Sequence, residues 1–369
     1  MHFLILAITL AAPHNDRALY DRLSAQVEPA FDAKRNAFVE KGGSPSTPAL
    51  ELAIRRAAED GGDAWRKRAV GTMAFTWTLF DSVGGGFVHQ DKSANPAHPS
   101  FEKRADSTAQ RLSDLLDMME AGYGDPAKQR AAQVVDYFDR VLLDGRGGFM
   151  PSQVGDRFLL AEINGMALHA WLRWSAATGD LRKRDFAIKS LDRVWEHCWD
   201  ERFGMMRKGD FDVVISPPLL VDQVEFGRAC VLSAQVMGRD VDRERAVQLG
   251  EVILGRFEDA KKGGGFYTKA VPDKDGATKK SGVDLAENAR AARFLCELST
   301  MTGEPKYRDA ARRAWTVLGE KIAKESLGAA EWALAVRESF APTTWAKAEW
   351  PEPQEKKPRA RSVRFKARR

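Results

Sequence analysis

GGGFVHQDKSANPAHPSFEK occupies residues 84–103: three glycines, an aromatic, two histidines and a closing Phe-Glu-Lys. Its opening recurs along the chain. SVGGGFVHQD (82–91) is followed by GRGGFMPSQ (145–153), DERFGMMRKGD (200–210) and KKGGGFYTKAV (261–271), with a weaker copy, RNAFVEKGGSP, at 35–45. The aromatics Phe87, Phe149, Phe203 and Phe266 fall about sixty residues apart, the period of one helical hairpin. Glycine permits the tight or positive-φ turn, and the aromatic that follows is expected to plug the hairpin end.

Between these segments helical periodicity dominates. LLDMMEAGY, MALHAWLRWSAATGD and AARFLCELSTMTG space their apolar residues by three and four, which predicts amphipathic helices. Alternating runs are scarce; FDVVISPPLL (211–220) is the best strand candidate, and Pro217-Pro218 end it. The breakers predict about twelve helices, near 15–30, 46–60, 64–82, 105–123, 127–144, 157–178, 182–199, 221–238, 241–257, 283–302, 305–322 and 327–338. Short gaps (61–62, 124–126, 178–180, 238–240, 302–305) alternate with long ones (83–104, 145–156, 200–220, 258–282). Antiparallel neighbours then put the short turns on one rim and the long loops on the other. Six such hairpins close into an all-α (α/α)6 toroid, one domain over residues 15–340. Helices that begin after long loops point their N-termini at the long-loop rim, a favourable place for anions or sugar hydroxyls.

Composition bounds the remainder. The chain has 369 residues and 44% hydrophobic content, enough for a sizeable core. No apolar run reaches the ~20 residues of a membrane-spanning helix. Residues 1–14 contain a ten-residue apolar run, Phe3 to Ala12, which reads as a short signal peptide or a buried start of the fold; the reading leans to a periplasmic or secreted protein over a cytoplasmic one. Cys198, Cys230 and Cys296 form no C-x-x-C, so no disulfide framework, zinc site or dithiol redox site is expected. The net charge is +5, but the last fourteen residues alone carry eight Lys or Arg and no acid, which leaves −3 for the rest. The stretch 341–369 therefore reads as a Pro-containing basic disordered tail, with no specific nucleic-acid partner. No cofactor is expected, and the oligomeric state is not legible.

Four stretches carry a family resemblance. GGGFVHQD with PSFEK at 99–103, Ile163-Asn164-Gly165-Met166, LLVDQVEF at 219–226, and GGGFY at 263–267 followed by AENARAARFLCELSTMTGEPKY together span roughly residues 30 to 325. In that order they resemble the YyaL-type family, which includes spermatogenesis-associated protein 20. Its members usually join a thioredoxin-like domain to a six-hairpin toroid similar to glycosidases and N-acylglucosamine 2-epimerases. This chain matches only the toroid part, so the resemblance implies a possible separate thioredoxin-like partner. It departs from the family at Ser100, which replaces the histidine of the Pro-His-Phe-Glu-Lys signature. It also departs at Ile163, which replaces a tryptophan, and at 152–156, where an acidic run is mostly lost.

The candidate site residues follow from both readings. Glu102, at a helix start on the long-loop rim, is the first candidate for acid/base work, with His89 or Asp222 as its partner. Asp91, Asp156 and Glu225 are further rim carboxylates; a glycosidase needs two of them about 5–5.5 Å or 6.5–9.5 Å apart. Asn164 and Asn288 either cap their helices or orient a ligand, and Phe87 and Tyr267 are candidates for stacking on a sugar. His98 shares the opening loop. His169, in an apolar helix, reads as a packed core residue, and His197 as a group favouring a helix C-terminus. No spacing argues for a metal. The expected function is carbohydrate or sugar-metabolite processing by epimerase- or hydrolase-like chemistry in the long-loop cleft. The alternative is a non-catalytic toroid that binds a glycan or a protein.

Overall fold

The computed structural model describes residues 15–60, 62–88, 102–154, 158–208, 214–270 and 282–350. His89, Asp91, His98, Asp156, residues 1–14 and the basic stretch 351–369 lie outside the described residues.

Thirteen helices are described: α1 (Asp16–Val27), α2 (Thr47–Asp60), α3 (Asp63–Trp77), α4 (Ala105–Glu120), α5 (Asp125–Tyr137), α6 (Ala161–Thr178), α7 (Leu181–Cys198), α8 (Leu220–Met237), α9 (Asp240–Val252), α10 (Leu285–Thr302), α11 (Pro305–Val317), the single turn α12 (Gly319–Ile322) and α13 (Ala329–Phe340). Six of them, α2, α4, α6, α8, α10 and α13, pack side by side, and α13 returns to α2 to close an inner ring. Each carries an outer helix against it: α3 on α2, α5 on α4, α7 on α6, α9 on α8, α11 on α10, and α1 on α13. The fold is the all-α (α/α)6 toroid that the helix-and-gap pattern predicts. The core fills the space between the rings: Trp171, Trp332, Phe226 and Phe294 are among its fully buried side chains.

The short turns are built from local chemistry. Gly179, Gly238 and Gly303 end α6, α8 and α10 in the left-handed region, with φ of 68°, 69° and 78°, where glycine carries no Cβ penalty. After Gly179, the Asp180 side chain accepts from the Arg182 and Lys183 N–H groups at 3.0 and 3.3 Å, capping α7.

The long loops repeat a different device. Five of the six outer helices, α11 excepted, run into a narrow antiparallel bridge before the next inner helix begins: Phe31 with Phe38, Phe80 with Phe87, Leu143 with Phe149, Trp199 with Met205, and Glu258 with Phe266. Both α5 and α9 widen into a π-type turn just before theirs, at Phe138–Leu142 and Ile253–Phe257. In the fourth copy the expected plug, Phe203, is displaced. Met205 occupies the bridged, fully buried place instead, because Gly204 precedes Met205 and the bridge follows the glycine. The strand candidate survives as a fragment: Val214–Ser216 pairs with Arg207–Lys208 beside the rim. Among the described residues no helix is long and apolar enough to cross a membrane.

The expected boundary at 340 does not mark the end of the packed chain. Residues 341–350 lie against the toroid: the Thr343 N–H and hydroxyl donate to Glu338 at 2.6 and 2.7 Å, and the Ala348 N–H donates to the Val236 carbonyl at 2.9 Å.

Candidate functional site

Three inner helices carry an amide at their fourth residue, and all three amides do the same thing. Asn164 Oδ1 accepts from the Phe149 N–H at 2.7 Å, while its Nδ2 donates to the Phe149 and Leu160 carbonyls at 3.3 and 2.9 Å. Gln223 treats Met205 and Leu219 alike, at 2.7, 2.8 and 3.1 Å. Asn288 does so with Phe266 and Asp284, at 2.6, 2.8 and 2.8 Å. Each amide is fully buried and pins the glycine loop to the helix that follows. Gly148, at φ 97°, brings the loop close enough that a Cβ would stand 3.0 Å from the Asn164 oxygen. Asn164 and Asn288 are thus neither simple caps nor groups facing a ligand. Replacing Asn164 with Ala strands the Phe149 N–H and C=O in the core at about 1–3 kcal/mol for each unpaired group; urea unfolding should show a loss of that order.

The other rim candidates are also engaged. Asp222 is fully buried and accepts from Arg207 Nε at 2.9 Å and from the Glu162 N–H at 3.1 Å, which caps the start of α6. Burial raises its pKa above 3.8 in spite of Arg207. Phe87 is buried edge-on to Trp77 and Phe80, with ring centroids 5.7 and 5.3 Å away, and is a hairpin plug. Tyr267 hydrogen-bonds Asp259 within its own loop. Glu102, half-buried before α4, adds to the negative field at Arg104. The neighbouring Lys103 ties that segment to Asp81 at 2.6 Å.

A cavity that these residues do not reach lies on the toroid axis. Its volume is about 400 Å³, and it runs between the inner helices. Thr47, Ser107 and Ala286, from first helical turns, line its long-loop end, and Asp117, Arg173 and Glu297, about three turns further along, line its far end. None of Glu102, Asp222, Asn164, Asn288, Phe87 and Tyr267 lines it. Its walls are polar stripes on otherwise apolar helices: Met166, His169 and Arg173 on α6, Glu225 and Arg228 on α8, and Arg290, Arg293 and Glu297 on α10. These recur at three- and four-residue spacing, the side-chain spacing of one helix face. Charged residues at that interval inside apolar helices were the available sequence signal, and it is the signal that reading the rim passes over.

The stripes neutralise one another. Arg293 of α10 donates to both oxygens of Glu51 on α2, at 2.6 and 2.8 Å. Arg55 reaches Asp117 at 3.4 Å, and Arg173 reaches the same carboxylate at 2.7 Å. Arg228 meets Glu297 at 3.0 Å and Arg290 meets Glu225 at 3.3 Å. Burial pushes Glu51 up, but Arg293 and Arg55 hold its carboxyl well below the usual range. These pairs tie α10 to α2, α2 to α4, α4 to α6, and α8 to α10. Between α6 and α8 the tie is steric: a Cβ on Gly165 would overlap the Glu225 backbone. The cavity lining counts six arginines against six Asp or Glu.

Within this neutralised interior, two titratable groups make no hydrogen bond and no ion pair among the described residues: His169 and Glu331. His169 faces the cavity at mid-depth. Burial, then the positive fields of Arg228 and Arg173, hold its imidazole well below 6.5, so it is neutral. The expectation of a packed core residue gives way to a cavity-facing one, because the inner face of α6 borders a void and not a neighbouring helix. Glu331, in the first turn of α13, is raised above 4.5 by burial, with Arg290 and Arg293 acting against it. Both groups sense the same three charges, Arg228, Arg293 and Glu51.

One wall carries a pH-dependent strain. Asp114 is fully buried; one oxygen accepts from Arg111 at 3.1 Å and the other has no partner. Burial pushes its pKa up to about 7, Arg111 pulling it down and Asp117 pushing it further up. In the unfolded chain the group ionises near 3.8, so between that pH and about 7 the folded protein holds the extra proton. Stability therefore falls as pH rises through this window. Three pKa units correspond to about 4 kcal/mol. Asp114→Asn should flatten the slope between pH 4 and 8, read as the pH dependence of the unfolding midpoint.

No family model matches this chain, and no curated protein sequence does. Solved structures do. Cellobiose 2-epimerase from Bacillus thermoamylovorans superimposes with a TM-score of 0.69 over 87% of this chain and 98% of its own, at 12% identity. The shared fold is the (α/α)6 toroid. D-mannose isomerase gives a TM-score of 0.68 over 84% of this chain and 88% of its own, at 13% identity. A family 76 α-mannanase from Bacteroides thetaiotaomicron gives 0.69 over 88% and 96%, at 9% identity. At such identities the likeness establishes the toroid alone, and the chemistry has to be argued from the cavity. Among the described residues no His/Cys/Asp/Glu group could hold a metal, and Cys198, Cys230 and Cys296 are buried free thiols.

Proposed function

We propose that this toroid binds a small neutral sugar in the axial cavity and moves a proton at the carbon beside its carbonyl, as an epimerase or isomerase does. One observation carries the reading: His169, held neutral, and Glu331, its carboxyl raised above 4.5 by burial, are the interior groups that the surrounding ion pairs leave unengaged. A neutral imidazole accepts a proton, a carboxyl that burial makes a weaker acid can give one, and the arginines around them stabilise the oxyanion of an enediolate. The volume, about 400 Å³, fits a mono- or disaccharide. The near balance of the lining, six arginines against six acids of which one, Glu331, is assigned as the proton donor, favours a neutral sugar over a phosphate or a uronate. Glycoside hydrolysis is favoured less, because Glu51, Asp117, Glu225 and Glu297 are each paired with arginine. Resemblance to the YyaL-type family at the four quoted stretches supports placing the chain near that family. With its own thiols buried, any redox step in such a partnership would fall to a separate thioredoxin-like protein.

The test is isotope exchange. The full chain is incubated in D2O with mannose, glucose, fructose and cellobiose, and loss of the proton beside the carbonyl is followed by NMR. Exchange with at least one sugar is expected. Saturable sugar binding without exchange would instead identify a non-catalytic glycan-binding toroid.

A further inference from the structure

The cavity has two ends, and they are built differently. At the long-loop end its lining comes from helix first turns and from Glu40, Ser44 and Pro45 of the loop before α2. At the short-turn end Thr343 and Trp345, which belong to no helix, join Asp117, Arg173 and Glu297. The segment 341–350 crosses this side. It is pinned at Glu338, at the C-terminal end of α13, through Thr343. It is pinned again at the C-terminal end of α8, where the Trp345 N–H donates to Gln235 Oε1 at 3.3 Å and the Ala348 N–H to the Val236 carbonyl at 2.9 Å. The Trp345 ring lies under the Arg173 guanidinium, 4.8 Å from it. Arg184 covers Trp350 in the same way at 5.3 Å, further along the segment.

We propose that residues 341–350 form a strap that closes the toroid axis from the short-turn side. Trp345 is then the floor of the substrate site, and the floor sets how long a sugar the site accepts. The inference rests on the carbohydrate reading above and adds a specificity determinant to it. A cavity open at both ends would let an oligosaccharide thread along the axis. A cavity floored by an indole takes only what fits between the first helical turns and Trp345, so the substrate enters end-first and stops. Arg173 lies over the ring and holds it in place while remaining bound to Asp117, which fixes the depth of the floor.

Two measurements on the full chain test this. The first needs no sugar: hydrogen exchange of the peptide 341–350. Slow exchange in the wild type, lost in Gln235→Ala, is expected; chain-like exchange in the wild type overturns the strap. The second compares equilibrium binding of mannose, mannobiose and mannotriose, and of glucose, cellobiose and cellotriose, to the wild type, Trp345→Phe and Trp345→Ala. The wild type and Trp345→Phe should stop at the disaccharide. Trp345→Ala should gain about tenfold or more in affinity for a trisaccharide. Equal length limits in the wild type and Trp345→Ala overturn the floor. Protection of 341–350 with no sugar bound by any of the three proteins overturns the carbohydrate reading and the length-setting role together, and leaves the strap standing as a purely structural closure.

Discussion

His169→Gln is expected to abolish proton exchange into the sugar, with a fall of roughly 10²–10⁴-fold in rate and little change in sugar affinity. The glutamine keeps a polar side chain of similar reach but cannot accept and return a proton. Glu331→Gln should slow the reaction as well, and its pH profile is the more telling readout. In the wild type the acid limb reflects protonation of His169 and lies below 6.5, because burial and the arginines lower that pKa. The alkaline limb reflects ionisation of Glu331 and lies above 4.5, because burial raises it. Glu331→Gln should therefore lose the alkaline limb while keeping the acid one. A variant whose profile still has both limbs would show that another group is the acid. Unchanged exchange in His169→Gln would remove the imidazole from the mechanism altogether.

The second large effect concerns the ring and not the chemistry. Arg293→Met should destabilise the toroid by about 3–5 kcal/mol, the usual cost of removing one partner from a buried ion pair. Arg293 is 6% exposed and links α10 to α2 across 242 residues of sequence. Without it Glu51 keeps only the longer contact to Arg55, at 3.5 Å. Glu338, 2% exposed and 3.7 Å from Arg293, loses a countercharge as well. The paired change Arg293→Met with Glu51→Met should recover most of the loss, because replacing a whole buried pair with apolar groups is often close to neutral. Urea unfolding of the two single variants and the double variant gives the coupling directly. A single-variant loss below about 1 kcal/mol, the worth of an exposed pair, would mean that water, and not Glu51, solvates Arg293.

Much of the architecture was legible because its signals are local. The glycines at 179, 238 and 303 end three helices by a backbone conformation that glycine adopts freely, and Asp180 restarts the next by capping it. Apolar spacing of three and four marks a helix whatever it packs against. The alternation of short and long gaps then leaves few ways to arrange twelve antiparallel rods. Where a local signal was ambiguous, the plug was misassigned: Phe203 is the aromatic, but Met205 follows the glycine and takes the buried place. The segment 341–350 reads as tail because Pro, Lys and Glu carry no helical pattern, while the contacts that carry it to α8, Trp345 to Gln235 and Ala348 to Val236, join residues more than 100 positions apart.

The site was less legible. Glycine, asparagine and aspartate on the rim look like chemistry because such residues often serve it, yet Asn164, Asn288 and Asp222 hold loops and helix starts together. Their hydrogen bonds join residues 15 to 60 positions apart, which no local pattern reports. His169 has the opposite history. Its neighbours in sequence are apolar, so it reads as core, and only closure of the ring turns that helix face towards a void. By itself the sequence determined a toroid of hairpins, since period, breakers and caps act within a few residues. Which side chains share the axis was decided by the tertiary structure alone: six helices from residues 47 to 340 must meet before any of their charges can find a partner, or be left without one.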